Sequence, residues 1–318
     1  MKCLIIGAGG IGCYYGARLL NAGHEVSFVA RGKHLEAMQQ QGLKVEHEAL
    51  AFNQPVDALS MAALMQQHAC DDFDLIMLTL KSGATEDWLE QSGDWLAGSD
   101  TPVLSLQNGV DNEPRIAARI GASRTLGGLA VRIGGHIIAP GHVEARGPAQ
   151  VVMGCWPCAP EGDSRLDQLA EQFNAANIPT RVSDRIRHEL WKKLLINNGV
   201  NPLSALTGLD TRSLTADPVL GRTVYRMMQE TALAARADDV ELTQADVDEM
   251  FALISSFDAI KTSMLVDREK GRPLELEDIS GAVIRRCRAL GEEAPWTELT
   301  ERLLRLDIRP LQWYPQPA

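Results

Sequence analysis

No uninterrupted apolar run in this chain approaches the roughly 18 residues that a membrane-spanning helix needs. A membrane span is therefore not expected. The start, Lys2 followed by the apolar Cys3 to Ile6, has the outline of a secretory leader, but glycines and Arg18 interrupt it at once. Positive charge is also in short supply. Lys and Arg number 31 against 42 Asp and Glu, a net charge of −11. A nucleic-acid or anionic-membrane partner is disfavoured on that ground, because either needs a basic footprint. Cysteine is sparse, six in 318 residues, which excludes a dense disulfide framework. Cys3 and Cys13 fall in segments that read as buried, so a reduced, cytoplasmic setting is expected. The pair Cys155 and Cys158, in Cys-Trp-Pro-Cys, follows a strand pattern and precedes a turn-rich run from Ala159 to Gly162. A thioredoxin-type pair opens a helix after an early strand, and one such pair cannot complete a four-thiolate zinc site. These thiols read as part of a loop, and no metal site is expected. Internal repeats and low-complexity segments are also missing.

What is present suits a two-domain globular enzyme: 318 residues, 45% hydrophobic and 23% charged. The first twenty residues organise the rest. Cys3 to Ile6 is a short apolar run without alternation, the pattern of a strand buried on both faces. Gly7, Ala8, Gly9, Gly10, Ile11 and Gly12 follow, giving G-x-G-x-x-G, and Tyr14 to Leu20 reads as a helix. In that setting Gly7 turns the chain out of the strand, Gly9 lets the backbone approach a pyrophosphate, and Gly12 lets the helix pack close. The helix start adds N–H groups and a partial positive charge. The pattern alone is common. Its place between a strand and a helix separates a dinucleotide site from a merely glycine-rich turn.

Val26 to Ala30 is a second buried-strand run. A site for unphosphorylated NAD expects Asp or Glu at its end, about 20 residues past the glycines, to accept from the ribose 2′-hydroxyl. Ala30 occupies that place and Arg31 follows, with Lys33 nearby. A guanidinium there suits a 2′-phosphate, and no carboxylate repels it. NADP(H) is the expected cofactor; the alternative is an ordinary surface arginine.

Further on, His34 to Gln41 reads as a helix stopped by Gly42, and Leu43 to Val56 as two short strands. Asp74 to Leu80 and Pro102 to Leu106 read as buried strands. Thr85 to Ala97 and Asn112 to Ile120 read as helices. Strands are expected at Leu126 to Ile133, Ile137 to Val143 and Gln150 to Gly154, turned by Gly134-Gly135 and Gly147-Pro148. A helix at Asp163 to Ala176 and a strand at Thr180 to Val182 complete the series. This alternation predicts an α/β fold, a Rossmann-type doubly wound and mostly parallel sheet. From Ser183 the strand patterns stop and helical ones continue to about Asp307. The expected division is a dinucleotide-binding domain over 1–183 and an all-helical substrate or catalytic domain over 184–318. The last stretch, from Arg309, reads as an extended tail.

In open parallel sheets, ligands bind beyond the carboxyl ends of the strands. Lys81 and Asn108 follow two such ends, on the edge that carries Gly7 to Gly12. Taken singly, Lys81 reads equally as a solvated loop cation and Asn108-Gly109 as a turn pair. In the helical half, Lys193, Asn197 and Asn201 are four residues apart and share one helix face. Leu190, Leu194, Leu195, Ile196 and Val200 make most of the remaining surface apolar, so the polar row is expected to face a cavity. A solvated face favours Glu, Lys or Arg over the poor helix former Asn. Asn198, Gly199 and Pro202 weaken this helix, and a kink after Asn197 is expected. A lysine with two carboxamides suits a proton donor beside substrate-gripping amides.

Taken together, these residues resemble the ketopantoate reductase (2-dehydropantoate 2-reductase) family nearly end to end. The resemblance rests on Gly7 to Gly12, Arg31, Leu80-Lys81-Ser82 and Gln107-Asn108-Gly109. It continues with W-x-K-x-x-x-N-x-x-x-N-P-L from Trp191 to Leu203, Ser263-Met264-Leu265, and Glu275 twelve residues after Ser263, before a helix carrying Gly281. It implies reduction of 2-dehydropantoate by NADPH to D-pantoate, on the route to pantothenate and coenzyme A. It implies Lys193 as general acid, Asn197 and Asn201 as substrate amides, and Ser263 as a carboxylate ligand. Lys81 and Asn108 match cofactor-side residues, and Asn108 also a substrate contact. Glu275 matches an acid near the lysine and the nicotinamide ribose, and Ala130, by a looser alignment, a backbone contact to the cofactor. On the residues alone, Ser263 is any helical serine, and Glu275 with Glu277 and Asp278 an acidic first helical turn. The chain departs from the family where Ala145 takes the place of a frequent histidine, and where Glu277 and Ser280 replace the usual Asp and Asn. The implied partner is a small-molecule 2-keto acid, in a monomer or homodimer. Two alternatives stand beside this: a reductase of another branched 2-keto or imino acid, and a non-catalytic NADP(H)-sensing module.

Overall fold

The computed structural model describes residues 1–158 and 164–308. The expected turn at Ala159 to Gly162, the first residue of the expected helix, Asp163, and the tail from Arg309 lie outside them. The chain divides into two compact units, Met1–Glu189 and Leu190–Ala318.

Among the described residues the first unit holds twelve strands: β1 (Lys2–Ile6), β2 (Glu25–Val29), β3 (Leu43–His47), β4 (Leu50–Gln54), β5 (Asp57–Leu59), β6 (Leu75–Leu78), β7 (Val103–Ser105), β8 (Thr125–Val131), β9 (Gly134–Ala139), β10 (His142–Arg146), β11 (Gln150–Cys155) and β12 (Thr180–Val182). Its helices are α1 (Gly10–Asn21), α2 (Gly32–Gln41), α3 (Met61–Gln67), α4 (Thr85–Leu96), α5 (Asn112–Ile120) and α6 (Arg165–Ala175). Eight strands form one sheet in the order β12-β11-β8-β7-β6-β1-β2-β5. Every neighbouring pair in it is parallel except β11 against β8. This is the doubly wound sheet that the alternating pattern predicts.

The unalternating apolar strands have a plain physical basis. In β1, Cys3 and Ile5 face a core shared with α1 and α6, whereas Leu4 and Ile6 face a second core with Trp88, Leu89 and Ile116 from α4 and α5. A strand covered on both faces keeps no polar side.

One stretch is read differently by the structure. Gly134 and Gly135 are not a turn: they begin β9, and the turn falls at Pro140-Gly141, inside the strand expected at Ile137 to Val143. Strands β9 and β10 pair antiparallel, and β10 runs parallel to β3, giving a separate sheet in the order β4-β3-β10-β9. That sheet lies against α1. Contact explains the glycines: a Cβ at Gly10 would meet the Gly135 carbonyl carbon at 2.1 Å, and a Cβ at Gly135 would meet Gly10 at 2.7 Å. The short edge strand β5 and the helix α3 are additional to the sequence expectation.

The second unit is helical throughout its described residues. It takes most of α7 (Ile186–Thr207), then α8 (Thr211–Ala216), α9 (Leu220–Ala235), α10 (Gln244–Ser255), α11 (Ser263–Glu269), α12 (Ala282–Ala289) and α13 (Pro295–Arg305). A π-helical turn at Glu277–Gly281 leads into α12. Helix α7 continues as helix through Gly199 and Pro202. Gly199 serves packing: a Cβ there would sit 2.9 Å from Met228 Cγ and 3.2 Å from the Val224 carbonyl oxygen, so α7 and α9 approach through it. Asn198 is fully buried, and its amide donates to Thr231 Oγ1 and Thr297 Oγ1, both at 3.0 Å. Glu230 of α9 accepts from the Trp296 and Thr297 backbone N–H groups at 2.9 Å and from the Thr297 hydroxyl at 2.7 Å. It thereby caps α13, whose first-turn N–H groups lack helical partners. Among the described residues no helix is long and apolar enough to cross a membrane.

Candidate functional site

The site in the first unit is made of strand ends. Ile6 of β1 pairs with Val29 of β2 and Leu78 of β6, and Leu78 pairs with Ser105 of β7. The segments that follow, Gly7 to Gly12, Ala30-Arg31, Thr79 to Ser82 and Leu106 to Asn108, therefore leave the sheet at one edge. Ala130, near the end of β8, is on the same edge. The structure thus brings together the glycine turn, Arg31, Lys81, Asn108 and Ala130.

The glycines divide by what needs them. Gly7 has φ +99°, and a Cβ there would press on the Leu80 backbone N at 2.8 Å. Gly12 would meet the Gly7 carbonyl oxygen and Thr79 Oγ1, both at 2.5 Å. Gly10 is needed by β9, as above. Gly9 is different. Its φ of −80° and ψ of −168° suit any residue, and a Cβ would have only the Gly7 carbonyl oxygen as near as 4.0 Å. The fold itself makes no demand for glycine at this position. A ligand that must approach the backbone does. Gly9 also begins α1, which has no side-chain cap and no acidic residue in its first turn. Its first N–H groups and helix dipole are aimed where an anion would lie. The residues fit a dinucleotide pyrophosphate.

Residues absent from the sequence argument hold this turn in place. Gly7 and Ala8 donate from their N–H groups to the Val29 carbonyl, at 3.3 and 2.9 Å. The Thr79 hydroxyl donates to the Gly7 carbonyl at 2.7 Å. The loops of Lys81 and Asn108 are tied by buried polar groups. Gln107 Nε2 donates to the Leu80 carbonyl at 3.1 Å and to Thr85 Oγ1 at 2.9 Å. Ser82 Oγ and Asn112 Nδ2 both donate to the Asn108 carbonyl, at 2.5 and 2.8 Å. Thr85 Oγ1 donates to Asn112 Oδ1 at 2.9 Å. Buried polar groups linked in this way rigidify the backbone that carries them. Nothing in the spacing of Thr79 and Thr85 signals this role, because their partners are distant in sequence.

Arg31 is exposed at the start of α2, whose first turn carries no acidic residue. Ala30 beside it is buried, and its N–H donates to the Leu59 carbonyl of β5 at 3.1 Å. The edge strand β5 thus fixes the backbone just ahead of the arginine.

In the second unit, Lys193 and Asn197 are half-buried on α7 and Asn201 is buried at 7% exposure. Adjacent Lys192 is engaged elsewhere, pairing with Glu249 at 2.6 Å and Asp246 at 3.4 Å on α10. Below the row, Trp191 is buried under the Arg286 guanidinium, 5.3 Å from its ring centroid, and Arg286 pairs with Asp238 at 2.8 Å. Ser263 is the exposed first residue of α11, behind the capping Thr262, whose hydroxyl accepts from the Leu265 N–H at 3.2 Å. Glu275 is half-buried just before the π-turn, and its carbonyl accepts from the Ile279 N–H at 3.1 Å. Neither shares an element with the α7 row. Glu277 does not join them: it pairs with Arg285, and with Arg305 at 3.0 Å, on the surface. Cys155 is buried and Cys158 exposed, and neither is in a disulfide.

Comparison with known proteins places both units in one family. Residues 3–158 match the model described as ketopantoate reductase PanE/ApbA, and residues 185–307 match its C-terminal model. The chain belongs to the ketopantoate reductase family. A 2-dehydropantoate 2-reductase of Pyrococcus horikoshii is 30% identical over 299 residues, 93% of either chain. The crystal structure of a 2-dehydropantoate 2-reductase from Geobacter metallireducens superposes with a TM-score of 0.87 at 30% identity, over 97% of this chain and all of that one. A D-mandelate dehydrogenase solved with NADH and anilino(oxo)acetate also reaches a TM-score of 0.87, over 96% of this chain and 97% of that one. At 23% identity that likeness shows the fold alone.

Proposed function

We propose that this protein is an NADPH-dependent 2-dehydropantoate 2-reductase, reducing the ketone of a branched 2-keto acid to the D-hydroxy acid. The observation that carries the reading is the pairing, in one ketopantoate reductase chain, of a glycine whose open face only a ligand needs with a helix row of lysine and two carboxamides. The first unit is the cofactor domain. Gly7 to Gly12 would hold the pyrophosphate, Gly9 leaving the backbone bare toward it. Arg31 would hold the 2′-phosphate, for which a planar guanidinium is suited. Lys81, Asn108, the Ala130 backbone and Glu275 complete the cofactor contacts. Bound NADPH supplies the hydride that the carbonyl carbon accepts.

The second unit is the substrate domain. The Lys193 ammonium donates a hydrogen bond to the keto oxygen and transfers its proton there as negative charge develops, which stabilises charge where it appears. Asn197 and Asn201 orient the hydroxyl and carboxylate ends, and Ser263 and Asn108 add donors. Glu275 keeps the lysine site electrostatically balanced. A small carbon skeleton held at several polar points loses little further entropy on reaching the reacting geometry.

The test is NADPH oxidation, followed by absorbance, with ketopantoate and a panel of other branched 2-keto acids and imino acids. Turnover fastest with ketopantoate is the expected result. Turnover fastest with another member reassigns the side-chain pocket. Binding of NADPH without oxidation of any panel member replaces the reductase with an NADP(H)-sensing module.

A further inference from the structure

One side chain outside the glycine turn links the second sheet to Cys13, whose thiol is bonded to that turn. We propose that His34 is a positioning residue for the dinucleotide turn, locking the Ala8–Gly9 peptide to the β9–β10 hairpin so that the N–H groups behind Gly9 aim at the pyrophosphate. The inference rests on reading that turn as the NADP(H) site.

His34 lies in the first turn of α2, three residues past Arg31, and is half-buried. Its Nδ1 accepts from the Gly141 backbone N–H at 3.0 Å, at the tip of the β9–β10 hairpin. An amide nitrogen can only donate, so the proton of the neutral ring is on Nε2. That edge donates to Cys13 Sγ at 3.7 Å. Cys13, on α1, in turn donates from its thiol to the Ala8 carbonyl at 3.3 Å, so the histidine reaches the turn through the thiol. The N–H of the same peptide, that of Gly9, donates to the Gly7 carbonyl at 2.7 Å.

The peptide before Gly9 is therefore held at both ends. His34 carries its restraint outward to a hairpin that also presses on the start of α1, through Gly135 on Gly10. A protonated ring would set an N–H against the Gly141 N–H. Burial holds the imidazole below its usual pKa, which keeps the neutral form the geometry requires.

A residue with this role affects how well the turn grips the cofactor and leaves proton transfer alone. His34→Ala removes one acceptor and one donor. The KM and Kd for NADPH rise about tenfold, while kcat and the KM for the keto acid stay at wild-type values. His34→Asn restores an acceptor near Gly141 and His34→Gln a donor near Cys13, so each recovers part of the loss. The measurement is NADPH binding by fluorescence, with the kcat and KM split and the melting temperature of each variant. Wild-type NADPH affinity in the Ala variant, or in both the Asn and Gln variants should Ala not fold, overturns the proposal. So does a fall in melting temperature with no change in cofactor KM, the signature of a purely structural histidine. If wild-type protein binds no dinucleotide, the reading of the glycine turn fails and this inference with it. If it binds NADPH and the variants bind as well, this inference alone fails.

Discussion

The turn at Gly7 to Gly12 and the row Lys193, Asn197 and Asn201 are built from opposite materials. In the first unit the surface proposed for the pyrophosphate is backbone. Side chains are removed where the chain must come close, and Thr79, Gln107 and Asn112 hold the bare loops from behind. In the second unit the surface is side chain. A regular helix presents polar groups at one spacing, and the packing beneath it, Gly199 on α9 and Asn198 between Thr231 and Thr297, sets its rotation. Backbone recognition suits a pyrophosphate, which is alike in NAD(H) and NADP(H). Side-chain recognition suits a substrate whose ketone needs a proton from one atom. The two halves should therefore fail in different ways when mutated.

The largest effect is expected from Lys193→Ala. Loss of a general acid lowers kcat by about 10²–10⁴-fold, with NADPH affinity unchanged in a binding titration. Unchanged turnover would remove the lysine from its role and erase the contrast between the halves.

Next come two glycine substitutions that sharpen the division within the turn. Gly12→Ala forces a methyl within 2.5 Å of the Gly7 carbonyl oxygen and should lower stability by about 1–3 kcal/mol in chemical denaturation. Gly9→Ala should leave stability near wild type yet weaken NADPH binding, because its Cβ enters open space on the ligand's side. Equal destabilisation by the two would mean that the fold, and no ligand, requires Gly9. Arg31→Ala should weaken NADPH by about 10–100-fold, the worth of a charge-assisted hydrogen bond, and NADH far less. Parallel KM increases for both cofactors would separate Arg31 from the 2′-phosphate.

The smallest effect concerns the packing behind the second unit. Burial raises the Glu230 carboxyl above its usual pKa, against the donors from Trp296 and Thr297 that favour its charge. A carboxyl raised in the folded state favours folding most when protonated. Its contribution is complete below the unfolded pKa and is lost as pH rises through the folded value. Glu230→Gln should abolish that decline and change stability at neutral pH by only about 1 kcal/mol, as pH-dependent melting curves would report. A pH dependence identical to wild type would assign it to other groups.

Much of the architecture was readable in advance, for identifiable reasons. Helix α5 at Asn112–Ile120 and strand β12 at Thr180–Val182 match their expected bounds, because each has strong flanking signals. Strand β5, at Asp57–Leu59, lies directly beyond the two short strands expected up to Val56 and is not separated from them by any signal of its own. The region from Gly134 to Val143 was misread because a glycine pair usually marks a turn. Here the pair is needed for contact between β9 and α1, two elements more than a hundred residues apart in sequence. The candidate residues Gly7 to Gly12, Arg31 and Lys193 carried local signals. The buried set around Asn108 and the ring of His34 did not, since a hydroxyl, amide or imidazole reveals its partner only when the chain has folded.

Local chemistry thus determined which elements form and which residues bear charge, bareness or donors. Periodicity and steric freedom act over a few residues and can be read from them. Only the tertiary structure decided that Gly9 is free of packing while Gly10 is not, and that Asn198 is structural while neighbouring Asn197 is half-exposed. The physical reason is that burial and hydrogen-bond satisfaction are properties of a neighbourhood assembled from distant segments.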